Sequence, residues 1–200
     1  SGAAAASLTA DSGLALLINA LATVGGLGVL ILVFGPIGGA HFNPAVTLAD
    51  AALGTRTWRS TLTYLPTQIL GCVSGAILAN LMFAQPAVEL STTPRATPAH
   101  LLGEVVATAG LVLVVFLLPR HNRPADRAWA VAAYIGAAYF FTSSTSFANP
   151  AITIARMLTP TFAGIAPASA PWFIGAQLLG AAIGVALVAF FGGRRHDNGA

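Results

Sequence analysis

The sequence predicts an all-α integral membrane protein: spanning helices, broken twice by a re-entrant half-helix and arranged as an inverted repeat. Three observations predict it. The 200-residue chain is 56% hydrophobic and only 8% charged, whereas a soluble domain carries about 25% charged residues, so its surface suits lipid. Its apolar residues fall into helix-length runs. And Asn-Pro-Ala, followed by an aliphatic residue and Thr, occurs twice: at Asn43-Pro44-Ala45-Val46-Thr47 and at Asn149-Pro150-Ala151-Ile152-Thr153.

Residues 1–10 are small and polar and too few to cross a bilayer, which takes about 20 helical residues. Asp11 or Ser12 is placed to cap the next helix. The first full span runs from Leu14 to Phe34, and Gly35-Pro36 is expected to end it. Gly38 to Phe42 cannot be an ordinary span. Asn43-Pro44 reads as a helix start, with Asn as N-cap and Pro at the first helical position. The helix from Asn43 to about Leu53 would cross only half the membrane. Thr61 to Phe83 is the second span, with Gln68 inside it, and the loop 85–98 follows. His100 to Leu118 is the third span, with Glu104 near its start. A basic loop, 119–127, leads to the fourth span, Ala128 to Phe141. Thr142 to Ser146 breaks the chain before a second short helix, which starts at Asn149-Pro150 and ends before Thr159-Pro160. After the loop 161–171, Trp172 to Phe191 is the last span, and 192–200 is a polar tail. Trp58, Trp129 and Trp172 fall at span ends, where interfacial anchoring accounts for them.

The charge of +3 comes from nine Arg against six acids, with no Lys. These Arg sit at the ends of apolar runs and form no nucleic-acid patch. Arg56, Arg59, Arg120, Arg123, Arg127, Arg194 and Arg195 should share the cytoplasmic side, so the C-terminus is cytoplasmic and the loop 85–98 faces out. That count fits the order of spans only if both Asn-Pro-Ala helices re-enter. The first then enters from the cytoplasm, the second from outside, and they meet N-terminus to N-terminus. A multi-pass protein of the inner (plasma) membrane is expected. The lone Cys72 permits no intrachain disulfide and lies in an apolar helix, where a small packing residue is the simpler reading.

The halves echo each other. Asn43 precedes Gln68 by 25 residues and Asn149 precedes Gln177 by 28. One channel-like domain of two repeats, about 1–90 and about 98–200, follows, with opposite topology in each. Glu104 precedes Asn149 by 45 residues, so its first-half counterpart would fall before Ser1. The first half therefore is expected to lack most of one helix, with residues 1–6 as its outer end.

Irregular backbone at membrane depth is tolerated where protein or a water-filled cavity surrounds it. Two half-helices meeting head-on bring two positive dipole ends together. An N-cap Asn spends its side-chain oxygen on its own helix, leaving the amide NH₂ free. Asn43 and Asn149 are thus expected to offer paired donors, and the carbonyls of 38–42 and 144–148 a ladder of acceptors. Neutral hydrogen-bonding solutes suit such a passage, whereas cations and protons meet a positive barrier. A single Asn-Pro-Ala is adequately read as a plain capped helix start; two in matching halves are not.

On these motifs the chain resembles the major intrinsic protein family, the aquaporins and glycerol facilitators. His41-Phe42-Asn43-Pro44-Ala45-Val46-Thr47 is similar to the first family box and Asn149-Pro150-Ala151 to the second. The likeness covers the chain except the first helix. It implies an aquaporin-like right-handed bundle of six transmembrane helices and two half-helices, a homotetramer in membrane lipid with one pore per subunit, and no cofactor. Gly39, Ala40, His41, Phe147 and Ala148 would line or support the pore. The family's filter is normally completed by an Arg directly after the second Asn-Pro-Ala, where this chain has Ile152. By the family's offsets the other filter positions are Thr23, Ala137 and Ser146. These small residues imply a wider, less cationic constriction, suited to glycerol or to neutral metalloid hydroxides such as arsenite. Thr153-Ile154-Ala155-Arg156 is similar to a bacterial branch associated with arsenic resistance.

Arg156 lies one turn beyond Ile152 on the same helix face, and long helical side chains lean toward the N-terminus. It can restore part of the missing charge, or be a vestibule Arg paired elsewhere. Glu104, ionisable and inside a span, is expected to accept hydrogen bonds near a re-entrant loop, with His41 a possible partner; a proton relay is the alternative. Gln68 and Gln177 should cross-link helices. Beside the passive channel stand a secondary transporter, which also uses broken helices but needs ion-coupling groups that are scarce here, and a non-conducting membrane protein. No His, Cys or carboxylate set has ligand or triad spacing, so an enzyme is not expected.

Overall fold

The computed structural model describes residues 2–118 and 124–193. Among these, every regular element is helical: α1 (Gly2–Leu8), α2 (Ser12–Gly38), α3 (Pro44–Ala52), α4 (Trp58–Met82), α5 (Pro98–Leu117), α6 (Pro124–Phe141), α7 (Pro150–Ala155), a 3₁₀ turn (Arg156–Leu158) and α8 (Ala170–Gly193). Arg120, Arg123, Arg194 and Arg195, on which the orientation partly rests, lie outside the described residues.

Capping sets most boundaries. Asp11 caps α2 by accepting the Leu14 N–H at 2.7 Å. Thr57 and Thr97 cap α4 and α5 through Ser60 N and His100 N, so these helices start at Trp58 and Pro98, ahead of the apolar runs they contain. Contrary to expectation, Gly35-Pro36 does not end α2. A proline costs a helix the bond its N–H would make, yet the backbone continues two residues further. It stops at Gly39, whose φ of 83° is left-handed and whose N–H bonds Gly35 O at 2.9 Å. The second short helix is also tighter than expected, six residues of α7 followed by the 3₁₀ turn.

Helices α2, α4, α5 and α8 are long and apolar enough to cross a membrane. Helix α6 does not reach that measure: it starts at Pro124, inside the expected basic loop, and carries Asp126 and Arg127 in its first turn. It packs along α2.

Helices α2, α3 and α4 follow the same order as α6, α7 and α8, a long helix, a short Asn-Pro-capped helix and a second long helix, and α5 packs on α8. Close approach there depends on Gly180 and Gly184. A Cβ on Gly180 would stand 2.5 Å from Val105 O, and one on Gly184 2.7 Å from Val112 Cβ. Their counterparts three and seven residues after Gln68 are Gly71 and Gly75, which have nothing within 4 Å. The face of α4 matching the α5-binding face of α8 is thus open among the described residues. Helix α1 packs on α2, and Gly2 abuts Ala163 of the loop before α8.

Candidate functional site

The half-helices α3 and α7 meet at their N-termini. Asn43 Oδ1 accepts from Ala45 N at 2.9 Å, and Asn149 Oδ1 from Ala151 N at 3.0 Å and Ile152 N at 3.3 Å. Each amide also crosses the junction: Asn43 Nδ2 donates to Ala148 O at 2.7 Å, and Asn149 Nδ2 to Phe42 O at 2.8 Å. The expectation of a wholly free NH₂ is therefore corrected. A carboxamide nitrogen carries two protons; one is spent on the opposite loop, leaving one for the cavity. Pro44, Ala45, Pro150 and Ala151 are buried behind this junction.

Both approach loops use the same backbone pattern. Positive φ occurs four, three and one residues before each Asn: at Gly39, Ala40 and Phe42, and at Thr145, Ser146 and Ala148. Left-handed backbone costs an L-residue about 1–2 kcal/mol, so these loops need support. In the second half Glu104 supplies it. Its carboxylate, fully buried, accepts from Phe147 N at 2.9 Å, Ala148 N at 2.8 Å and Gln177 Nε2 at 2.6 Å. Gln177 Nε2 also reaches Thr153 Oγ1 at 2.9 Å, as Gln68 Nε2 reaches Thr47 Oγ1 at 2.9 Å. In the first half no described carboxylate takes the place of Glu104, and Gln68 Oε1 is buried without a partner.

His41 is not a partner of Glu104, which corrects that expectation. Its Nδ1 lies 3.1 Å from Thr47 Oγ1 and its Nε2 3.5 Å from Asp50, whose carboxylate also takes Arg56 Nε at 3.3 Å. Arg56 and the Tyr64 hydroxyl both donate to Gly38 O at 3.2 Å. With Phe42 O and Ala148 O taken by the asparagines, the acceptor ladder is shorter than expected: Gly39 to His41 and Ser144 to Phe147 keep their carbonyls clear of these bonds.

One cavity of about 1170 Å³ takes in both asparagines and runs from Asp50, Thr55 and Arg127 at one end to Thr23, Ser146 and Arg156 at the other. Gly39, Ala40, His41, Phe147 and Ile152 also line it. Ala137 does not. It is exposed on the outward face of α6, and the α6 residues in the cavity are Arg127, Val131, Ile135 and Tyr139. A shift of two residues turns about 200° around a helix, so the offset that named Ala137 missed the inward face. Tyr139, which sequence reasoning passed over, is 4% exposed, and its hydroxyl lies 3.3 Å from Thr23 Oγ1 and accepts from Arg156 at 3.2 Å. Its four-residue spacing from Ile135 and Val131, which sets all three on one face of α6, was the available signal.

Arg95, in the loop between α4 and α5, was also missed. It is 8% exposed and donates to Gly164 O at 2.7 Å and Phe162 O at 2.8 Å, tying that loop to the one before α8. Burial, and then the nearby Arg156 cation, lower its pKa to about 10. Arg95 and Arg156 face the Phe147 ring, with guanidinium carbons 5.3 and 4.2 Å from its centre.

Comparison with known proteins agrees with this geometry. Residues 1–146 match the family model described as major intrinsic protein, a match that stops just short of the second Asn-Pro-Ala. The aquaglyceroporin AqpS of Rhizobium meliloti (strain 1021) is 47% identical over 188 residues, covering 94% of this chain and 80% of that protein, and so takes in both motifs. The glycerol uptake facilitator protein of Bacillus subtilis (strain 168) is 36% identical over 107 residues, 46% of this chain and 39% of that protein. Among solved structures, the aquaglyceroporin from Plasmodium falciparum superposes with a TM-score of 0.70 at 20% identity, covering 95% of this chain and 87% of that one.

Proposed function

This chain belongs to the major intrinsic protein family, and we propose that it is a passive channel passing glycerol-sized uncharged solutes, neutral metalloid hydroxides such as arsenite among them, together with water. The carrying observation is the asparagine pair. Each side chain is fixed at both ends by its own helix and the opposite loop, with one amide proton left over inside a continuous cavity. A solute oxygen meets two fixed donors between two positive helix ends, and a cation meets repulsion.

Solute size is argued from the outer end. Thr23 and Ser146 are small, and Ile152 brings no charge to the position directly after Pro-Ala. A channel of this kind needs no catalytic group. The likeness to an aquaglyceroporin and to a glycerol uptake facilitator supports glycerol as a solute. The placement of Arg56 and Arg127 away from Arg95 and Arg156 supports a cytoplasmic C-terminus in the inner membrane, with the repeats at about 1–90 and 98–200. A homotetramer with one pore per subunit completes the proposal.

Uptake of water, glycerol and arsenite by one preparation of proteoliposomes tests the reading. All three should enter faster than into empty vesicles, with glycerol flux linear in its gradient. Water entry without glycerol entry would restrict the channel to water and reject the wider filter.

A further inference from the structure

We propose that Arg156, held by Tyr139, is the specificity-determining residue of the outer constriction, and that it favours solutes rich in hydroxyl oxygens over solutes rich in N–H donors. The inference rests on the channel reading above and adds what that channel selects.

Ile152, directly after Pro-Ala, offers no hydrogen bond from its side chain. Arg156 begins the next turn, and its own N–H bonds Ile152 O. Its guanidinium then lies against the Phe147 ring, 4.2 Å from the centre. One nitrogen donates to the Tyr139 hydroxyl at 3.2 Å, and that hydroxyl lies 3.3 Å from Thr23 Oγ1. Thr23 is itself anchored by donating to Asn19 O at 2.8 Å. The guanidinium is thereby fixed from α6, α2 and the second loop at once.

The other terminal nitrogen, Nη1, is buried and has no partner; so is Ser146 Oγ, on the same cavity. A buried polar group without a partner is costly to leave so. Guanidinium is donor-only, so the partner it lacks is an oxygen. Glycerol presents three hydroxyl oxygens; urea presents four N–H donors and one carbonyl. A fixed donor at the mouth therefore helps glycerol more than urea.

The test is stopped-flow permeability of proteoliposomes to glycerol, urea and water, for the wild type and the variants Arg156→Ala, Arg156→Lys and Tyr139→Phe. Arg156→Ala should lower the glycerol-to-urea ratio about fivefold, the worth of one net hydrogen bond. Arg156→Lys should fall between, and Tyr139→Phe should move the ratio the same way by less. A purely structural role would lower all three fluxes together and leave the ratio alone. An unchanged ratio in Arg156→Ala overturns the proposal, as it does in Arg156→Lys and Tyr139→Phe if the alanine variant does not insert. Wild-type vesicles no more permeable than empty ones would overturn the channel reading, and this inference with it.

Discussion

Asn43 and Asn149 each hold the loop that presents the other. Asn43 Nδ2 bonds Ala148 O, the carbonyl just before Asn149, and Asn149 Nδ2 bonds Phe42 O, the carbonyl just before Asn43. The two donors at the centre of the cavity are thus a single reciprocal unit.

Replacing one asparagine should therefore damage both halves. Asn43→Ala removes a helix cap, costing about 1 kcal/mol, and strands a buried carbonyl, costing about 1–3 kcal/mol more. Asn43→Asp keeps the cap oxygen but loses the crossing donor and puts negative charge at the junction. We expect a lower Tm for both in thermal unfolding in detergent, and a proton leak in pH-dye-loaded vesicles for the aspartate variant alone.

Glu104→Gln turns an acceptor of three hydrogen bonds into a group with two donors facing donors. Bonds to a charged acceptor contribute about 1.5–3 kcal/mol each. The variant should lose about 2 kcal/mol or more of stability, read by chemical denaturation, and lose solute flux because the second loop is no longer held in its left-handed backbone. Retained wild-type flux would show that the loop holds its shape without Glu104.

The equivalent glycines should answer differently. Gly180→Leu would drive a side chain into Val105 and Thr108 of α5, an overpacking that costs about 1–3 kcal/mol. Gly71→Leu meets open space among the described residues and should stay within about 0.5 kcal/mol. Comparing the two Tm shifts measures how unequally the halves are packed.

Ile152→Arg would place a cation directly after Pro-Ala, on the cavity. It should narrow the outer end and cut glycerol uptake about tenfold while sparing water more. A rise in glycerol uptake would mean that Ile152 does not border the constriction.

Much of this was legible in the sequence, for physical reasons. Asn-Pro ahead of an apolar run reads as a capped helix start, so the duplicated motif located α3 and α7, and the placement of the Arg residues pointed to their head-to-head meeting. A carboxylate inside an apolar run has to be satisfied, so Glu104 could be placed beside a re-entrant loop. The remaining features depend on geometry between segments. That each asparagine spends an amide proton on the opposite loop requires knowing how close Ala148 and Phe42 come. The error at Ala137 is one of helical phase: a two-residue offset separates the outward face from Tyr139. Pro36 reads as a stop, but Gly39 three residues later supplies the left-handed turn that ends the helix. His41 was assigned to the wrong acid because Asp50, two turns along α3, is brought under it only by the fold.

The most direct test of the central claim is glycerol permeability in proteoliposomes over a wide range of gradients, at two pH values and with and without sodium. A channel built on the Asn43–Asn149 pair predicts flux proportional to the gradient, indifferent to sodium and to pH. Saturating flux that depends on sodium or on a proton gradient would contradict it and identify a carrier.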